Sequence, residues 1–499
     1  MNEQRIKRVV VVGGGTAGWN AAALLARMMQ RVVDITLVES DDIGIVGVGE
    51  ATIPPIIRFN NALGFSEADF LKATQGSIKL GIQFENWGQL GDSYMHAFGE
   101  IGRDFAFCPF HNFWLRAKCQ GISADYWDFS LNYQAARHNK FAKLNNLPGT
   151  DMAGINYAYH FDAALYAKYL RQYCESRGVS RVEGIINHSS VCPDTGYIQS
   201  IQLESGQVIE GDLFIDCSGF RGLLIEQALE TGYESWSHWL PCDRAMALPT
   251  QSPERIRPYT RSIAHKAGWQ WDIPLQHRTG NGHVYCSDYV SDDEARQILL
   301  DNLEGEPLAE PRNIPFKTGR RKLQWNKNCI ALGLASGFLE PLESTSIHLI
   351  QVGIRRLIEN FPHDGIKQVE VDEFNRQSKL EFEQIRDFII LHYKVNQRTD
   401  SQFWTDCRNM SIPDSLQTKI DLFKASGKVF RYSDELFAEV AWHQVMLGQH
   451  LIPDDYHSIA DSISDQQLTG MFSDLKALIS KTVSQLPSHE QFLEKLKLG

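Results

Sequence analysis

The run Arg8-Val9-Val10-Val11-Val12 leads straight into Gly13-Gly14-Gly15-Thr16-Ala17-Gly18, and no other stretch narrows the fold as far. Five valine-rich residues bounded by glycine read as a strand buried on both faces, as in a parallel sheet. Trp19 to Met28 follows as a strong helix former, and Asp34-Ile35-Thr36-Leu37-Val38-Glu39 as a second strand. In such a strand–turn–helix–strand unit the glycines of Gly13-x-Gly15-x-x-Gly18 have separate tasks. Gly13 makes the turn, Gly15 lets the backbone approach a pyrophosphate, and Gly18 lets helix and sheet pack closely. Thr16 and Ala17 stand at the helix N-terminus, where N–H groups hold an anion, and Glu39 is placed to accept from ribose hydroxyls. The pattern in this context predicts a nucleotide cofactor; glycines alone would also serve a plain helix–sheet contact.

Two later segments favour FAD over NAD. Asp212 to Arg221 reads as a strand ending in a small-residue turn, and Asn328 to Phe338, which includes Gly333, as another. An extended FAD needs such returning segments to cover its ribityl chain and flavin. The expected fold is therefore α/β, with an FAD-binding Rossmann-like domain of the aromatic-hydroxylase kind and interleaved substrate elements. A mostly helical C-terminal subdomain completes it. We place the FAD domain with its inserted segments at 1–360 and the helical, substrate-covering subdomain at 361–499. No second glycine fingerprint appears, which predicts a flavin reduced by a separate protein.

Composition removes several classes. With 499 residues the chain is long enough for two interlocked domains. Its net charge of −12 argues against nucleic acid and anionic membrane surfaces as partners. There is no long apolar span, and the first strand begins so early that no signal peptide fits, so a cytoplasmic protein is expected. The nine cysteines are scattered without a C-x-x-C pair and read as free thiols, and no metal site is expected.

Two polar residues carry the candidate chemistry. Glu343 follows Pro341-Leu342 and precedes an apolar pattern of helical period, Ile347, Ile350, Ile354, Leu357 and Ile358. Ser344 then reads as the N-cap, and the N–H groups of Thr345 and Ser346 as a seat for a small anion. Taken alone, Glu343 is a carboxylate complementing a helix dipole. Lys79 lies in an alternating stretch, Ser77-Ile78-Lys79-Leu80-Gly81-Ile82, and taken alone reads as a surface lysine on a half-buried strand. A functional lysine here would be buried, with its charge state tuned by its surroundings.

The motifs together resemble those of the flavin-dependent halogenases of the tryptophan halogenase type, from the first strand to beyond residue 450. The resemblance rests on the glycine fingerprint, on Gly47-Val48-Gly49-Glu50-Ala51-Thr52-Ile53-Pro54, and on Lys79 in its setting. It rests further on Trp269-Gln270-Trp271-Asp272-Ile273-Pro274, matching a W-x-W-x-I-P signature, and on Pro341-Leu342-Glu343-Ser344-Thr345. It implies that Gly47, Val48, Gly49 and Glu50 belong to a strap over FAD, that Ile347 packs on the flavin, and that Gly333 and Phe338 contact the cofactor. It implies Lys79 as the catalytic lysine, Glu343 as its carboxylate partner, and Thr345 and Ser346 as halide ligands; Ser346 stands where many relatives have glycine. His96 and Phe98, in a Y-x-H-x-F-like stretch, would line the substrate pocket, although His96 also reads as a structural histidine. Trp269 and Trp271 would keep substrate from the flavin.

The implied reaction uses reduced FAD from a separate flavin reductase, O2, and chloride or bromide. It makes a hypohalous acid that Lys79 delivers, by hydrogen bond or as a haloamine, to an electron-rich aromatic. The alternative is an FAD-dependent aromatic hydroxylase. Relatives that accept free tryptophan carry a Tyr-Tyr pair and then a Glu where this chain has His443, Gln444 and His450. A missing carboxylate leaves an amino-acid ammonium unpaired, so an indole-like substrate is expected ahead of free tryptophan. The partners expected are a small aromatic substrate and the reductase, with a homodimeric state left open.

Overall fold

The computed structural model describes residues 5–43, 49–105, 107–122 and 124–498. Two compact units form, each from three stretches of chain: Met1–Gly76, Phe161–Asp243 and Ile314–Glu383 in the first, and Ser77–His160, Arg244–Asn313 and Gln384–Gly499 in the second.

The first unit is built on a six-stranded sheet in the order Trp325–Asn326, Cys329–Ala331, Leu213–Asp216, Arg8–Val12, Asp34–Glu39, Ser180–Glu183. The pairings are parallel except the first. Val9 to Val12 are almost wholly buried, as a strand covered on both faces requires. Helix Thr16–Met29 packs against helices Ala163–Glu175 and Ser346–Glu359. An antiparallel meander, Ile186–Val191, Ile198–Leu203 and Val208–Glu210, joins the same core: Ile198, Ile201 and Leu203 pack with Val10, Val12, Val38 and Phe214. The strand order reverses around Arg8–Val12, which is paired to Asp34–Glu39 on one side and Leu213–Asp216 on the other. In open α/β sheets a ligand crevice lies outside the strand carboxyl ends at such a point.

In the second unit six strands of the main sheet run in the order Arg244–Thr250, Thr279–Tyr285, Gly268–Pro274, Thr260–His265, Gly81–Glu85, Ser93–Ala97. All pair antiparallel except Thr260–His265 with Gly81–Glu85. Every residue of Gly268–Pro274 and Thr279–Tyr285 is buried. Helix Glu439–Gly448 packs on strand Ser93–Ala97, and helix Asp465–Gln485 on helix Leu131–Arg137. None of the nine cysteines is joined in a disulfide. Among the described residues no helix is long and apolar enough to cross a membrane.

Candidate active site

The glycine turn of the first unit explains itself residue by residue. Gly13 has φ +106°, and its N–H donates to the Val38 carbonyl at 2.8 Å. A Cβ there would lie 2.4 Å from the Cys217 carbonyl oxygen, so a side chain is excluded twice over. A Cβ on Gly18 would fall 1.8 Å from the Gly13 oxygen, which is the close helix–sheet approach the fingerprint predicts. Gly15 is different: nothing lies within 4 Å of its virtual Cβ. It is the N-cap of helix Thr16–Met29 and supplies no side-chain cap, so the helix opens toward space with the N–H groups of Thr16 and Ala17 in its first turn. A pyrophosphate fits this arrangement.

Glu39 ends its strand with Oε1 accepting from Arg181 Nε at 2.6 Å. A Cβ on Gly14 would lie 1.4 Å from Oε2, so the carboxylate lies across the turn and needs glycine there. The remaining oxygen can accept from a ribose. Gly333 (φ +62°) faces Ala17 closely enough that a Cβ would come within 2.7 Å of Ala17 Cβ and 3.7 Å of Ile350. It thereby brings the cofactor helix to helix Ser346–Glu359. Phe338 packs edge-on against Phe220, at 5.5 Å between ring centroids. Gly49 and Glu50 belong to the short strand Gly49–Ala51, and burial pushes the Glu50 carboxyl up to about 7. Gly47 and Val48 lie outside the described residues.

The helix cap lies one residue later than expected. Pro341–Glu343 forms a single 3-10 turn, Ser344 takes a left-handed conformation (φ +58°), and Thr345 is the N-cap of helix Ser346–Glu359. Ser344 is thus not the cap. The left-handed residue ends the tight turn and throws the chain into the helix one position later. Thr345 makes no side-chain cap bond either; its Oγ1 is buried and has no hydrogen-bond partner among the described residues. An orphaned hydroxyl beside the first N–H groups of a helix fits a small anion. Glu343, the last residue of the 3-10 turn, is buried, and so is Ile347 in the first turn of the helix.

The second unit holds Lys79, whose side chain is 0% exposed. The half-buried surface strand is therefore not what forms: Ser77, Ile78 and Lys79 are all buried. The strand pairs antiparallel with Ala158–Asp162 in the register Ser77 to His160 and Lys79 to Ala158, which sets Ser77, Lys79 and His160 on one face. The Ser77 hydroxyl donates to the Pro274 carbonyl at 2.6 Å, and so accepts from His160 Nδ1 at 3.0 Å. His160 Nε2 meets the Thr260 hydroxyl at 2.9 Å. Burial first, and the Lys79 charge second, hold His160 well below its ordinary value, so it stays neutral beside the ammonium. Pro274 closes the strand carrying Trp269 and Trp271, whose rings lie 6.1 Å apart on one face.

Lys79 Nζ stands 5.4 Å from the centroid of the Phe98 ring. His96 packs against Phe388 at 5.6 Å and Phe437 at 6.1 Å, and those two rings stack at 3.8 Å. Trp442 adds an edge to Phe388 at 4.9 Å. The C-terminal positions have other employment. The Gln444 amide accepts from the Ala97 N–H (2.9 Å) and donates to the Ala97 carbonyl (3.1 Å), using both ends on the backbone of one residue. His443 faces His111 at 4.0 Å between centroids, and burial pushes His111 down to about 4 and His443 well down. His450, half exposed with φ +65°, binds Asp92 at 3.0 Å. Sequence reasoning missed His160, Phe388 and Phe437, whose roles depend on pairings distant in the chain, and Arg181, which only the strand order brings to Glu39.

Comparison with known proteins identifies the family. The family model for tryptophan halogenase matches residues 8–465. The chain is 35% identical to the tryptophan 7-halogenase RebH of Lentzea aerocolonigenes, over 84% of this chain and 82% of that one. Among solved structures it is similar to Xcc4156, a flavin-dependent halogenase from Xanthomonas campestris (48% identity, 99% of each chain, TM-score 0.96). It is also similar to BrvH, a flavin-dependent halogenase from Brevundimonas sp. BAL3 (44% identity, 99% of each chain, TM-score 0.95). The aromatic hydroxylase alternative is not favoured. The chain belongs to the tryptophan halogenase family and is a flavin-dependent halogenase.

Proposed function

We propose that the protein halogenates an indole-like or otherwise electron-rich aromatic through Lys79, with flavin reduced by a separate reductase. The observation that carries this reading is the complete burial of the Lys79 side chain beside Phe98. Taking an ammonium out of water costs several kcal/mol, which a surface role would never require.

Gly13, Gly15, Thr16, Ala17, Gly18, Glu39 and Gly333 would hold FAD, with Gly47 to Glu50 as its strap and Phe338 and Ile347 nearer the ring. When bound, reduced flavin would supply two of the four electrons that take O2 to water and hypohalous acid, the halide supplying the other two. The N–H groups at Thr345 and Ser346, with the Thr345 hydroxyl, hold the halide with its water stripped away, which restores its nucleophilicity. Lys79 then presents the electrophilic halogen to one ring carbon of the substrate. The reagent is already reactive, so orientation is the main asset the protein adds. Glu343 takes the proton released from that carbon.

His96 and Phe98 serve as walls of the aromatic pocket. Gln444 is spent on Ala97 and His450 on Asp92, so neither supports recognition of an amino-acid ammonium. This favours a substrate without the amino-acid head over free tryptophan. The test is direct. The protein is incubated with FAD, NADH, a separate flavin reductase, and chloride or bromide. Indole, substituted indoles, phenols and free tryptophan are offered, and products are read by mass spectrometry for the halogen isotope pattern. Halogenated indoles with little halotryptophan are expected; preferred turnover of free tryptophan overturns the substrate reading, and hydroxylated products alone overturn the whole.

A further inference from the structure

The strand edge beside Lys79 contains a gap that a histidine from the last helix fills. The N–H of Leu80 donates directly to the Pro258 carbonyl at 2.8 Å. Two residues earlier the next outward N–H, that of Ile78, should meet the carbonyl of Ile256 in the same way, because outward groups recur every second residue. It does not. The imidazole of His489 stands between them: Ile78 N–H donates to Nε2 at 3.1 Å, and Nδ1 lies 2.9 Å from the Ile256 carbonyl. An amide hydrogen can only donate, so Nε2 carries the lone pair and Nδ1 carries the proton. One neutral tautomer thus relays a single backbone hydrogen bond across the width of a ring. Further along, the same two segments close into regular parallel pairing, Thr260 with Ile82. The ring is therefore a spacer at the point where the ladder splays.

Lys79 lies between the two anchors, Ile78 held through His489 and Leu80 held directly. His489 itself is fully buried and fixed. It opens helix His489–Leu498, and its own N–H donates to the Asn139 carbonyl at 2.9 Å. Phe492, one turn on, packs against Phe141 at 4.7 Å. On the far side of Lys79's face, Ser77 is already tied to His160 and Pro274, so the outer edge alone depends on the relay.

We infer that His489 is a positioning residue for the halogenation reaction, its imidazole setting the height of the strand from which Lys79 projects. Without the relay, either Ile78 keeps an unsatisfied N–H or the 256–258 segment closes in and carries Lys79 with it. A displacement on the order of 1 Å at an orienting group costs roughly 100-fold in rate. The inference rests on the reading of Lys79 as the residue that delivers halogen.

The experiment compares His489→Gln with His489→Asn in the full chain, both polar and both able to occupy the site. A glutamine amide reaches the place of Nε2 and can still meet Ile78. An asparagine amide reaches only the place of Nδ1 and meets Ile256 alone. With FAD, a separate reductase, NADH, bromide and indole, we expect H489Q to keep kcat within about threefold of the parent. We expect H489N to lose tenfold or more in kcat, with KM for indole and FAD affinity little changed. Equal kcat in the two variants overturns the inference, as does an H489N that melts at lower temperature yet keeps its kcat. Lys79→Ala is run alongside: if that variant still halogenates, the reading of Lys79 fails. If it is inactive while H489N matches the parent, only the relay fails.

Discussion

A lysine with 0% exposure is an expensive residue, and the expense locates the chemistry. Replacing Lys79 by alanine removes the amine and leaves the backbone pairing of strand Ser77–Lys79 in place, so the fold should survive while the function does not. We expect K79A to bind FAD as the parent does, measured by flavin fluorescence, and to give less than about 1% of the parent's halogenated product; substantial product removes Lys79 from the mechanism. Thr345 makes the complementary case in the first unit. Its buried hydroxyl has no partner among the described residues and is a donor that an anion could use. A hydrogen bond to a charged group contributes about 1.5–3 kcal/mol, so Thr345→Val, which keeps shape and loses the donor, should raise KM for bromide roughly tenfold or more. Turnover at saturating bromide should stay close to the parent's, because the helix N–H groups remain. An unchanged KM would confine Thr345 to a packing role.

Strands and helices acquire their function here through where they end. The glycine fingerprint was readable because its whole logic is local: turn, approach and packing fall within six residues, and strands Arg8–Val12 and Asp34–Glu39 form where their apolar runs predict. The start of helix Ser346–Glu359 was readable only to within a residue, since Ser344's left-handed turn is set by the preceding 3-10 turn and not by its propensity as a cap. Gln444 was legible as a position and not as a role. Its amide replaces a neighbouring strand for Ala97, fastening helix Glu439–Gly448 to the edge strand Ser93–Ala97, and nothing in sequence spacing announces a partner 347 residues away. Two buried hydrogen bonds are at stake, and truncation leaves the outward backbone N–H and C=O of Ala97 unsatisfied, at about 1–3 kcal/mol. Gln444→Ala should therefore lower Tm by a few degrees in a thermal melt, while the ratio of indole to tryptophan turnover stays as in the parent. A changed ratio with an unchanged Tm would return Gln444 to the substrate pocket.

At the scale of the molecule, several histidines that burial holds neutral lie in the second unit. In the second unit burial pushes His111, His265 and His489 down to about 4 and His283 to about 3, from an ordinary value of 6.5. A histidine that stays neutral when folded takes up a proton only on unfolding. Between pH 6.5 and 4 the unfolded state binds more protons, and stability falls as pH falls, by up to about 1.4 kcal/mol per pH unit for each such group. His489 adds a geometric reason: its Nε2 already accepts from Ile78, and protonation would set two N–H groups against each other. In the first unit Glu50 works the other way. Its folded value near 7 lies above the ordinary 4.5, so its contribution is present at low pH and is lost as pH rises through 7. Acidification from pH 7 to 4.5 therefore loosens the second unit while the Glu50 contribution steadies the first. Hydrogen exchange followed by mass spectrometry on the apoprotein should show this as loss of protection first in strands Gly268–Pro274 and Thr279–Tyr285, before strands Arg8–Val12 and Leu213–Asp216. Asp92, Asp272 and Asp387, whose carboxyls burial raises, oppose the four histidines within the second unit, so the order tests whether the histidines together outweigh them. Simultaneous loss in both sets of strands, or earlier loss in the first unit, would show that these histidines do not govern the acid response.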